Sequence, residues 1–160
     1  MSTNWVKDIN DMHAKFGVHD WMEKNKDNPE LLKQFLEFRI RFLEEELNET
    51  RQAAILDNNR EEIVDGLIDL CVVAIGTLDS FGIDAYKAWD SVHKANMSKE
   101  PGIKESRPNP LGLPDLIKPE GWEGPSHKDN HGIFDKLFKA DADIVKKMNE
   151  VNNLKDVRES

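Results

Sequence analysis

The chain has a single cysteine, Cys71, a single tyrosine, no unbroken run of about 18 apolar residues, and too few basic residues to balance its acids. One thiol excludes an internal disulfide and suits a reducing compartment, so the cytoplasm is the expected location; inside DLCVVAIG the cysteine reads as plain core. Without a long apolar run, and with an opening MSTNWVKDIN that lacks an apolar h-region, neither a membrane span nor a signal peptide is expected. The 22 basic against 31 acidic residues leave a formal charge of −9, which disfavours DNA, RNA and anionic membranes as partners. A chain of 160 residues fits roughly one domain with room for a real core.

What is present is helical periodicity. Trp5, Ile9, Met12 and Phe16 recur at spacings of four, three and four, and Gly17 follows where a C-cap glycine would sit. Asn28-Pro29 reads as a cap with proline at the first helical position, opening a long helix to about Ala54 with the apolar line Leu36, Ile40, Leu43, Leu47. A third helix runs from about Arg60 to Ser80, and its GLIDLCVVAIGTL is apolar nearly all round, as suits the centre of a bundle. Asp84 can cap a fourth, with Ala85, Ala88, Trp89, Val92 and Ala95 as packing face. Six of the seven prolines lie in 101–125, which makes that stretch an extended arm, and Ile133, Phe134, Leu137, Phe138, Ile144, Val145 and Met148 mark a final helix. No strand with clean alternation is apparent. The expectation is an all-α bundle of about four core helices in residues 1–100, with 101–160 as a proline-rich arm plus C-terminal helix of the same unit.

Two acidic groups stand out, EEELNE at 44–49 and EEIVDGLID at 61–69. At about 100° per residue, Glu49 falls within about 20° of Phe42 around its helix and Glu46 about 40° from it, so both continue a semi-buried line. Glu62, Asp65 and Asp69 share a line that runs into Val72, Val73 and Gly76. Asp69, with apolar neighbours on both sides, must be protonated, paired or metal-bound. If the two helices pack antiparallel, as a short connection favours, the acid groups meet at one end of the pair, and a hard dication such as Mg²⁺ relieves their repulsion. Glu44, Glu45 and Glu61 read as solvated surface.

The order Glu46-x-x-Glu49, then Glu62-x-x-Asp65 within EIVDGLIDL, then Asn96-Met97-Ser98-Lys99, together with Phe16-Gly17, resembles the MazG-like all-α nucleoside triphosphate pyrophosphohydrolases. That group includes dimeric dUTPase, dCTP pyrophosphatase and phosphoribosyl-ATP pyrophosphohydrolase relatives, some of them phage-encoded. The likeness covers roughly residues 5–99 and, more loosely, PEGW at 119–122. It implies hydrolysis of nucleoside triphosphates, dNTPs such as dGTP or dCTP among them, to the monophosphate and pyrophosphate. By the same resemblance Glu46, Glu49, Glu62 and Asp65 hold Mg²⁺, for which Mn²⁺ can substitute. Glu46 or Glu49 orients or deprotonates the water, and Asp69 is an extra ligand or an anchor for the ligands. Lys99 and Asn96 would meet phosphate or sugar, and Trp21, Phe35, Arg39 and Phe42 are candidates for the base. A homo-oligomer, dimer or tetramer, is implied, with the arm wrapping a neighbour and Trp122 anchoring it.

Two other readings compete. His19-Asp20 suggests an HD-type phosphohydrolase, but it reads as a chance pair in a loop, and His13 and Asp65 do not complete a convincing set. A non-enzymatic acidic helical module would carry the same acids solvated and indifferent to Mg²⁺.

Overall fold

The computed structural model describes residues 1–107, 109–138, 146–147 and 149–150. It is mainly helical, and its chain forms two compact units, residues 1–83 with 131–160 and residues 84–130.

The first unit opens with α1 (Trp5–Lys15), whose Asn4 side chain accepts from the Lys7 N–H, and which ends at Phe16-Gly17 with Gly17 left-handed at φ 78°. Gly17 at once starts α2 (Val18–Asn25), an eight-residue helix absent from the sequence reading. Two turns show too little periodicity to stand out between a glycine and a proline. Asn28 then caps α3 (Pro29–Gln52) through its side chain to Leu31 N–H, with Pro29 in the first turn as expected. A five-residue π turn, Ala53–Asp57, and left-handed Asn58 (φ 50°) reverse the chain, and Asn59 caps α4 (Arg60–Ser80). No single helix among the described residues is long and apolar enough to cross a membrane.

The core of this unit lies where α2, the start of α3 and the end of α4 meet the returning chain. Leu32, Phe81 and Leu137 are fully buried, with Met22, Trp21, Phe35 and Phe134 packed around them. Trp21 stacks on Phe35 at 5.1 Å between ring centroids, and Phe81 lies 4.6 Å from Phe134. Burying each such side chain contributes about 1.5–3 kcal/mol. Gly132 passes so close to α4 that a Cβ there would stand 1.9 Å from the Phe81 carbonyl oxygen, which accepts from Ile133 N–H. The C-terminal helix expected through Ile144, Val145 and Met148 is seen at 134–138; those three residues lie outside the described ones.

Two apolar expectations are corrected. Ile40 and Leu47 on α3 are exposed, while Leu32, Leu36, Arg39, Leu43, Glu46 and Thr50, spaced four and three apart, form the inward seam. α4 is not enclosed all round either, since Val64, Leu67 and Ile68 face outward.

The second unit contains α5 (Ala85–Met97), capped by Asp84 through Lys87 N–H, and the proline-rich stretch. There β1 (Glu100–Gly102) pairs antiparallel with β2 (Asp115–Ile117), Pro101 opposite Leu116. Strands of three residues are too short to alternate visibly, which is why none was expected. Trp89 and Val92, assigned to the packing face of α5, are exposed, and Ala95 is buried. Asn130 closes the unit, its side chain accepting from Asp84 N–H and donating to Asp84 C=O, both at 2.8 Å.

Candidate active site

Two contacts set the register of α3 against α4. Thr50 packs on Gly66 so tightly that a Cβ there would meet Thr50 Oγ1 at 2.1 Å, and that hydroxyl already donates to Glu46 C=O at 2.7 Å. Farther along, Arg39 donates from Nε to Thr77 Oγ1 (3.1 Å) and from Nη2 to Val73 C=O (3.0 Å). The helices therefore run antiparallel. One turn back from Thr50 lies Glu46, and one turn on from Gly66 lies Asp69, so the two carboxylates face each other across the seam.

Electrostatics reports the same meeting. The half-buried Glu46 carboxyl is pushed above its ordinary value, first by desolvation and then by the negative charges of Asp69, Glu49, Glu45 and Asp65. Among the described residues no lysine, arginine or histidine pairs with Glu46, Glu49, Glu62, Asp65 or Asp69. Glu62 lies in the first turn of α4, where the helix dipole favours an acid, and its N–H is bonded to the Asn59 side chain.

The other candidates are placed differently. Trp21 and Phe35 are core rings. Arg39 is half-buried with its donors committed to α4, and Phe42 lies 5.9 Å from the guanidinium. In the second unit Lys99 Nζ donates to Asn96 Oδ1 at 2.8 Å and lies over the Trp122 ring. Trp122 Nε1–H donates to Ala95 C=O and Ser98 Oγ, so the arm's tryptophan is fastened to α5 of its own chain.

Sequence reasoning missed the side-chain cluster that forms at the end of α4. His19 is not in a loop but in the first turn of α2. Its Nε2 meets Asp79 Oδ2 at 2.8 Å, His13 Nδ1 meets the same oxygen at 2.7 Å, and Asn10 Nδ2–H donates to Oδ1 at 2.8 Å. Burial opposes ionisation of Asp79, but the bonds from Asn10, His19 and His13 outweigh it and hold the carboxyl below its usual range. Burial likewise lowers His13 in spite of Asp79. Three residues 6 and 60 positions apart carry no local pattern, and only the packing of three helices reveals them.

A family model for phosphoribosyl-ATP pyrophosphohydrolase matches residues 17–96. No curated protein matches the chain.

Proposed function

The chain belongs to the phosphoribosyl-ATP pyrophosphohydrolase family, and from that premise we propose that it hydrolyses nucleoside triphosphates, dNTPs such as dGTP or dCTP included, to a monophosphate and pyrophosphate with Mg²⁺. The observation that carries this reading is Glu46, half-buried in the α3–α4 seam and surrounded by acids with no cationic partner among the described residues. A donor set made only of carboxylate oxygens fits a hard ion. Glu46, Glu49, Asp65 and Asp69 would hold it, and Glu62 would extend the set at its outer edge. When bound, Mg²⁺ neutralises phosphate charge and acidifies the attacking water.

The chain's own residues then do the rest. Water attacks the α-phosphorus, the bond to the α–β bridging oxygen breaks, and pyrophosphate leaves. Glu46 or Glu49 accepts the water's proton, and the raised proton affinity of Glu46 supports it in that role. Lys99 and Asn96 are assigned to phosphate and sugar. With Trp21 and Phe35 packed against the core, the base is assigned to a mainly apolar cleft of about 200 Å³ between α1 and α4, lined by Trp5, Ile9, Ile68, Cys71, Val72 and Ile75 and by one acid, Asp8. The outward Ile40 and Leu47 on α3, with Val64 and Leu67 on α4, support a homo-oligomer, dimer or tetramer.

The test is pyrophosphate release from a panel of NTPs, dNTPs and phosphoribosyl-ATP, with wild type beside Glu49→Gln and Asp65→Asn. Metal-dependent release lost in both variants is expected and names the substrate. No release from any nucleotide would favour the acidic interaction module.

A further inference from the structure

His13, His19 and Asp79 offer one ligand atom each, all within 4.8 Å of one another, from α1, α2 and α4. We propose that they form a second metal site, specific for a borderline transition dication of which Zn²⁺ is the prime case, that staples the two opening helices to the end of α4.

The spacing is close to that of ligands. Donors about 2.0–2.1 Å from one Zn²⁺ lie about 3.2–3.5 Å apart at tetrahedral angles, so the two histidine nitrogens, 2.7 and 2.8 Å from Asp79 Oδ2, need to move away from it by only about half an ångström to admit the ion. Two imidazoles and one carboxylate suit Zn²⁺, and not Mg²⁺, which prefers oxygen throughout. His13 is buried and Asp79 partly so, whereas the His19 side chain is 36% exposed, which leaves an approach for the ion and room for a water as fourth ligand. Asn10, donating to the other carboxylate oxygen, fixes the orientation of Asp79, as partners of metal ligands commonly do. On binding, two N–H···O contacts become two N–Zn bonds: each neutral imidazole gives up the proton on the nitrogen facing Asp79 to water and takes one up on its other ring nitrogen, so none is lost overall. The ten residues from Asp69 to Asp79 span about 15 Å of helix, too far for an ion shared with the acids.

The test uses the full chain in excess Mg²⁺, titrated with Co²⁺ as a visible probe and with Zn²⁺ in thermal unfolding. His13→Asn and His19→Gln keep an N–H for Asp79 while removing the imidazole, so they separate ligation from hydrogen bonding. Expected are the ligand-field bands of histidine-bound Co²⁺ and a higher Tm with Zn²⁺. Affinity should fall at least about tenfold in either variant and stay unchanged in Glu49→Gln. Absence of both signals would overturn the proposal, as would signals that survive His19→Gln but vanish in Glu49→Gln.

Discussion

The two ends of the α3–α4 pair handle negative charge in opposite ways. At one end Asp79 is enclosed and met by donors on both oxygens, and its carboxyl is held low. At the other, Glu46 has acids and no cation beside it among the described residues, and desolvation and then their charge push its carboxyl up. An acid answered from within the chain leaves the fold stable without an ion, even where one can bind. One surrounded by like charge makes the fold worse, and its presence calls for a cation from outside.

The largest effect expected from breaking this contrast is catalytic. Asp65→Asn or Glu49→Gln should reduce pyrophosphate release about 10²-fold or more, the usual scale for losing a general base or metal ligand, with little change in the fold. Circular dichroism beside the activity assay separates the two. Next comes Gly66→Ala. Its Cβ would force the helices apart at Thr50, costing about 1–3 kcal/mol by overpacking and lowering activity by displacing Glu46 from Asp69. Urea unfolding and kcat together check it.

Arg39→Lys tests the closed end. Losing the forked donation to Val73 and Thr77 should cost about 1 kcal/mol and leave KM for the triphosphate unchanged. A raised KM with normal stability would return Arg39 to the nucleotide.

How much of this was legible beforehand follows from what each feature needs. Asn28-Pro29, Asn59, Asp84 and Gly17 act locally, so helix ends could be read from neighbours in the chain. Glu46 and Asp69 could be brought together because helical periodicity and a short reversal determine the facing. Periodicity says that a face is apolar but not what covers it, so the sequence pattern places Ile40, Leu47 and Leu67 inside, whereas they are exposed. Arg39 was read as a ligand contact because only the packed α4 reveals Val73 C=O as its acceptor. His13, His19 and Asp79 meet solely through tertiary packing.

The smallest expected effect is a matter of pH. A carboxyl raised in the folded state costs stability as pH rises above its ordinary 4.5, because the folded protein must then lose a proton it holds more tightly. In chelator, Glu46→Gln should therefore match wild type at low pH. Above that value it should become the more stable, by roughly a few tenths of a kcal/mol, the scale of like-charge helix pairs. Paired thermal melts across the pH range check the divergence.

The most direct test of the central claim is the thermal midpoint of wild type and Glu46→Gln, with and without Mg²⁺. The account predicts that the order crosses. Without metal the variant melts higher; with Mg²⁺ at 100 times its dissociation constant wild type gains about 2.7 kcal/mol and overtakes it. Equal shifts in both proteins, or none in either, would contradict the reading of the acids as a cation site.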